Sequence, residues 1–254
     1  MKYFHYLLAA SIRRLRKKYA KTKYLDYYEK TLELDEPTMV FSHDIDEGYE
    51  LNINDIVDME KKYGVNSTML LLAMSHPSKK WINSHSKVDF QFHANFIGNK
   101  IGKVIEEKKL IDDLIGKKTE IMRAHQYHLP DLNLVKDYFK ADSSYDNWTK
   151  LTLFKPFLTN LGMIEFPHLP EIEFINLYKG KGENIKKLYK EIVDVSKKTN
   201  GLLIVLTHPT PFKKWGSQIQ EFFSTQDGFE VKTMHEVMND LRKEHKIKYE
   251  PKLA

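Results

Sequence analysis

Short apolar runs alternate along this chain with longer stretches in which apolar residues recur every three or four positions. The first pattern predicts strands and the second predicts amphipathic helices. From residue 38 onward the order is a strand over 39–42, a helix from about 54 to 62 ended by Gly64, and strands over 67–72 and 88–92. A long helix over 100–115, closed by Gly116, leads to a strand over 120–122. A helix over 132–139 and short strands over 141–144, 163–166 and 171–175 follow, while residues 147–162 show no clear period. The helix over 184–198 ends at Asn200-Gly201. Next comes a run of Leu, Ile and Val over 202–207, which reads as a strand buried on both faces. A helix near 217–223, a strand over 229–232 and a helix over 234–244 complete the series.

Strands that alternate with helices predict parallel pairing with helices packed outside. About seven such units predict an α/β fold, a distorted (β/α)7-type barrel. The chemistry-bearing residues fall at strand carboxyl ends: Asp44 and Asp46, His93, Arg123 and His125, Asp142, and His208. In a barrel those ends share one rim. Residues alternate faces along a strand, so Asp44 and Asp46 point one way and His43 the other.

Ahead of the barrel, Phe4, Leu7, Leu8, Ile12, Leu15 and Tyr19 lie at helical spacing among basic residues. Residues 2–22 therefore read as a basic amphipathic helix, and 25–37 as an acidic linker ending at Pro37. The expected division is 1–36 for helix and linker and 37–254 for the barrel. The helix has three candidate roles: covering one end of the barrel, lying on an anionic membrane surface, or binding a partner protein.

Charge and composition narrow the function. The net charge is +5, yet residues 1–25 hold eight Lys or Arg and no acid, leaving 32 basic against 35 acidic residues in the remainder. The body therefore lacks the basic stripe that nucleic-acid binding requires. No cysteine is present, which excludes disulfides, thiolate catalysis and thiolate-bound metal. No apolar run approaches the ~20 residues that span a bilayer. Residues 6–10 are too short for the apolar core of a signal peptide. The expectation is a cytoplasmic protein, with peripheral contact to the inner membrane through residues 2–22 as one of the three candidate roles of that helix.

A set of His and Asp without Cys suits a divalent ion held by imidazole and carboxylate: zinc foremost, with cobalt, nickel or manganese as substitutes. A free carboxylate beside such an ion can act as a base, a His can protonate a leaving group, and an Arg can hold the base ionised. Together these parts read as metal-assisted hydrolysis of an amide or ester.

At this point the chain resembles the polysaccharide deacetylase family, over roughly residues 38–245. Ser42-His43-Asp44-Ile45-Asp46 is similar to the family's first motif, which implies Asp44 as catalytic base and Asp46 as metal ligand. Val88-Asp89-Phe90-Gln91-Phe92-His93 resembles the second motif and implies His93 as a ligand. The family's second histidine, four residues on, is Ile97 here. His125 in Met122-Arg123-Ala124-His125 is the proposed replacement, with His76, His85 and Asn95 as the other candidates. Arg123 matches the arginine that orients the base. Leu203-Ile204-Val205-Leu206-Thr207-His208-Pro209 resembles the last motif and implies His208 as general acid. Asp142 or Asp146 is expected to pair with that imidazole, and the backbone near Tyr145 to supply an oxyanion donor. Trp148, Trp215 and Tyr127 are candidates to stack on a sugar ring. His5, His43, His128, His168, His235 and His245 read as structural or exposed.

The resemblance implies removal of an acetyl group from an N-acetylated sugar, either a polysaccharide or oligosaccharide or a lipid- or nucleotide-linked precursor. Two alternatives stay open: a metal-independent C–N hydrolase on the same barrel, and a non-catalytic protein that binds a glycan or a partner.

Overall fold

The computed structural model describes residues 24, 26–46, 50–75, 78–145, 155–169, 183–209, 220 and 223–248, the side chains of 50–52 and 183–189 excepted. The helix expected over 2–22, the strand expected over 171–175, and His5, His76, Asp146, Trp148 and Trp215 lie outside the described residues.

The strands are β1 (Tyr28–Thr31), β2 (Thr38–Ile45), β3 (Thr68–Leu72), β4 (Asp89–Ala94), β5 (Ile121–Ala124), β6 (Ala141–Asp142), β7 (Phe157–Thr159), β8 (Ile164–Glu165), β9 (Leu202–Thr207) and β10 (Glu230–Val231). The helices are α1 (Glu50–Tyr63), α2 (Lys79–Ser84), α3 (Ile101–Ile115), α4 (Glu183–Lys198) and α5 (Met234–Glu244). Strands pair in parallel in the order β9, β2, β3, β4, β5, β6, β8. After β8 the chain reaches back towards β9 through one backbone bond, Leu169 N–H to the Ile204 carbonyl at 3.1 Å. The result is a distorted (β/α) barrel. β1 and β7 extend it as an antiparallel flap, with β7 paired to β8. No helix among the described residues is long and apolar enough to cross a membrane.

Strand parity sorts the core into two layers. Val40, Leu70, Ile121, Ala141, Ile164, Leu202 and Ile204 form one cluster. Met234, Val237, Met238 and Leu241 of α5 pack into that cluster, so α5 fills the end of the barrel opposite the strand carboxyl ends. A capping box starts α5: the Thr233 hydroxyl accepts from Glu236 N–H while the Glu236 carboxylate accepts from Thr233 N–H. The other cluster holds Phe41, Met69, Leu71, Phe90, Phe92, Met122, Leu203 and Val205 against Ile53, Ile56 and Val57 of α1, and Val104 and Ile111 of α3. Side chains alternate, so inner positions continue as Ser42, Asp44 and Asp46, as His93, as Arg123, as Ser143 and as His208. By the same alternation His43, Asp142, Glu165 and Thr207 point outward.

Four expectations differ from the structure. Residues 25–37 are not only a linker, since they contain β1. The helix expected over 132–139 is a short 3₁₀ turn, Leu132–Leu134, capped by the Asp131 carboxylate on Asn133 N–H. Its continuation is a pair of i→i−3 turns, Val135 N–H to Leu132 O and Tyr138 N–H to Val135 O, closed by a single i→i−4 bond from Phe139 N–H to Val135 O, with no regular α-helix. α1 starts a turn earlier than Asn54, at Glu50. Residues 147–162, which gave no period, contain β7.

Candidate metal and catalytic site

Asp44 sits near the end of β2, buried on the inner face. Its Oδ1 accepts a 2.7 Å hydrogen bond from Arg123 Nη1. Arg123 is wholly buried, and the barrel's own groups take up three more of its donors. Nε donates to the Ser143 carbonyl at 2.9 Å, and Nη2 donates to the hydroxyls of Ser143 at 3.0 Å and Ser42 at 3.2 Å. Burial alone would raise the Asp44 pKa. The Arg123 guanidinium, helped by His93 and His208, outweighs it and leaves Asp44 below its ordinary value. Asp44 Oδ2 is turned toward His93, 3.8 Å from its Nε2.

One residue pair further along, three lone-pair donors converge. Asp46 Oδ1 lies 3.3 Å from His93 Nε2 and 3.1 Å from His125 Nδ1, and the two imidazole nitrogens are 3.1 Å apart. His93 Nδ1 is 3.0 Å from the Arg123 carbonyl, which can only accept, so Nδ1 carries the proton and Nε2 of the neutral ring is bare. Asp46 Oδ1 is buried and has no aligned hydrogen-bond donor. Two charge arrangements relieve such a convergence: a neutral His125 with its proton on Nδ1, donating to His93 Nε2, or a cation among the three donors. The geometry suits an ion: donors 2.0–2.1 Å from a tetrahedral centre stand about 3.3 Å from one another. The bond from His93 Nδ1 to a backbone carbonyl is also the kind of outer contact that fixes a ligating imidazole. Burial pushes the Asp46 pKa up, but the neighbouring His125 and His93 hold it well below the usual carboxylate range.

His125 reaches this position because the chain turns sharply behind it. Gln126 and Tyr127 both take left-handed backbone angles, φ 52° and 56°, unusual for side chains of their size. Tyr127 stacks on His168 at 4.8 Å, which anchors that strained turn. On the far side of the cluster His208 follows β9, with Nε2 3.7 Å from Asp46 Oδ2.

The sequence matches no protein-family model and no curated protein. Solved structures do match. A protein assigned as a polysaccharide deacetylase from Mycobacterium smegmatis superposes with a TM-score of 0.67 at 13% identity, over 89% of this chain and 98% of that one. One described the same way from Pseudomonas aeruginosa PAO1 gives 0.65 at 12%, over 83% and 92%. The PuuE allantoinase gives 0.64 at 13%, over 82% and 91%. The chain has the polysaccharide-deacetylase fold. The seven-unit barrel expected from the strand–helix alternation is thus the fold observed.

The structure brings Asp44, Asp46, His93, Arg123, His125 and His208 to one rim. Others expected there lie elsewhere. Asp142 does not pair with His208 or face a substrate. It is an outward position on β6, wholly buried, and its oxygens accept from the Tyr24 hydroxyl at 2.8 Å and the Ser144 hydroxyl at 2.6 Å. Tyr145 N–H is not an oxyanion donor, since it donates to Glu165 Oε1 at 2.9 Å, and its ring packs on Tyr24 and Phe157. Tyr127 is buried against His168 and presents no open face to a sugar. His85 lies over Trp81, bonded to the Trp81 carbonyl, and Asn95 closes a turn on Ile97 N–H. Neither belongs to the donor cluster.

Three residues escaped the sequence reading. Ser42 and Ser143 cradle Arg123, and small hydroxyls carry little signal. Glu165 stood out more, as a charge within Met163-Ile164-Glu165-Phe166, a run otherwise fit for burial. It pairs in register with Asp142 across β6 and β8, so two outward carboxyls meet in the core. Burial pushes both up, and the nearby Asp142 charge pushes Glu165 further. Their folded-state affinity for protons therefore exceeds the unfolded one. Stability from the pair is complete below the ordinary carboxylate range and declines as pH rises through the elevated values. Glu165→Gln keeps the acceptor for Tyr145 N–H and removes one charge. Its melting temperature should match the parent near pH 4 and exceed it at pH 8, at roughly 2–4 °C for each kcal/mol relieved. Equal differences at both pH values, read by calorimetry, would count against a shared proton.

Proposed function

We propose that the protein is a metal-dependent hydrolase that removes the acetyl group from an N-acetylated sugar. The observation that carries this reading is the convergence of Asp46 Oδ1, His93 Nε2 and His125 Nδ1 beside an Arg-held Asp44. Two imidazoles and one carboxylate suit zinc, and leave positions for a water and a substrate oxygen. A divalent ion held there would supply Lewis acidity toward the acetyl carbonyl and make a nearby water more acidic.

The chain's own groups divide the remaining work. Asp44 Oδ2, free of the arginine, accepts a proton from the attacking water. Arg123 keeps that carboxylate ionised and its plane fixed. His208, on the opposite side of Asp46, gives a proton to the departing sugar nitrogen, so that acetate and a free amine leave. Asp46, with both oxygens facing imidazoles, stays a ligand rather than a base. Two fold neighbours described as polysaccharide deacetylases support a carbohydrate substrate. The basic, amphipathic pattern of residues 2–22 supports a substrate presented at an anionic lipid surface on the cytoplasmic side.

The allantoinase neighbour makes a second reading concrete, hydrolysis of another C–N bond on the same barrel. The donor cluster favours the metal-dependent one. The purified protein, stripped by chelation and reloaded with zinc, should release acetate from N-acetylated amino-sugar oligosaccharides only in the loaded form. Equal release by both forms would remove the ion from the mechanism. Zinc bound at one equivalent with no acetate released would remove the deacetylase reading.

A further inference from the structure

On the outward face of β2, directly behind the site, lies a buried set of polar groups that the proposed reaction does not use. His43 Nε2 is 2.7 Å from Glu60 Oε1 of α1, and His43 Nδ1 is 2.7 Å from the Thr207 hydroxyl of β9. All three side chains are almost fully buried, at 1%, 2% and 1% exposure for His43, Glu60 and Thr207. A carboxylate oxygen accepts the Nε2 proton, which leaves Nδ1 of the neutral ring to accept from the threonine hydroxyl.

The location is informative. β2 and β9 pair in register from Thr38 and Leu202 up to His43 and Thr207, and the ladder stops there. The next residue on β9 is His208, and the next on β2 is Asp44. Pairing with β3 carries β2 on through Asp44 and Ile45, whereas the ladder that holds β9 to β2 ends one step before His208. The Glu60–His43–Thr207 chain continues that constraint through side chains at the last ladder pair. It also ties both strands to α1, which begins soon after Asp46. Stability alone does not call for this arrangement. A buried ionisable pair is commonly no better for stability than well-packed apolar residues of similar volume, and Phe41, Ile45 and Val205 already pack this layer.

We propose that Glu60, His43 and Thr207 are positioning residues that set the ring of His208 against Asp44 and Asp46 from behind the strands. The inference rests on His208 acting as the general acid. None of the three touches the substrate. They act by fixing the backbone from which His208 projects, where a misplacement of about 1 Å can reduce rate ~10²-fold.

Thr207→Val keeps the shape and removes the hydroxyl, whereas Thr207→Ser keeps the hydroxyl. In the zinc-loaded full chain, Thr207→Val should lower kcat at least tenfold with KM within about twofold, and Thr207→Ser should restore kcat to within about twofold of the parent. An independent readout needs no turnover. The imidazole NMR signals of His208, assigned by their loss in His208→Asn, should shift or broaden in Thr207→Val and stay in place in Thr207→Ser. Unchanged kcat with unchanged His208 signals overturns the proposal, as does a lowered melting temperature without either change. If the parent shows no acetate release, the deacetylase reading fails, and the His208 signals alone decide whether the clamp exists.

Discussion

Asp44→Asn should lower kcat on an N-acetylated amino sugar by about 10²–10⁴-fold, the usual contribution of a positioned general base. KM should change little, because the lost step is proton transfer in the transition state. Zinc content should also survive, since the three converging donors are Asp46, His93 and His125. The amide oxygen can still accept from Arg123, so the pair is weakened rather than abolished. The guanidinium then sits buried opposite a neutral partner, and breaking a buried pair typically costs about 3–5 kcal/mol. Its bonds to the Ser143 carbonyl and the two serine hydroxyls offset part of that. A melting temperature several degrees lower is therefore expected beside the rate loss. Parallel measurement of kcat, KM, zinc stoichiometry and melting temperature checks the set. Retained turnover at full zinc occupancy would transfer the base role away from Asp44.

His125→Ala tests the proposed third ligand. The position where a second histidine is expected carries Ile97, which is exposed, while His125 reaches the cluster from the next strand over. Removing one of the three proposed ligands should weaken zinc at least ~100-fold, more than the 10–100-fold typical of losing an outer contact. Competition with a chromophoric chelator measures this directly, without an activity assay. His85→Ala supplies the control, because that ring is engaged with Trp81 and Ser84. Equal zinc affinity in the parent and His125→Ala would leave His125 as a bystander. The convergence of donors would then be held by protons on the rings, and the imidazole nitrogen NMR signals of His93 and His125 would show which atoms carry them.

Much of this arrangement was readable from spacing. An Asp-x-Asp step on a strand puts two carboxylates on one face, and the long apolar run before His208 announces a buried strand. The Arg123-x-His125 step follows the same rule, which is how a replacement ligand could be sought after Ile97. What spacing could not supply was phase on short strands. β6 is two residues long, too brief for periodicity to say whether Asp142 or Ser143 faces inward. The sequence favoured the acid, but the barrel needed the serine there to receive Arg123. β1 was hidden for another reason. It is a largely exposed edge strand, and its partner β7 lies in a stretch with no period, so neither strand is legible without the other. The outward acids Asp142 and Glu165 belong to the same class: the first looks like site chemistry in sequence, the second gives only a charge in an apolar run, and only the register shows them facing one another.

The way the barrel is filled also bears on how it forms. Val40 and Leu70 share an inner layer with Met234, Val237 and Leu241, so early strands must keep their inner face open until α5 arrives. Contacts so distant along the chain slow folding, and they leave apolar strand faces accessible during synthesis. Cells would therefore meet this protein first as a client for chaperones, and shortening it ahead of Met234 should yield insoluble material however intact the rim residues are.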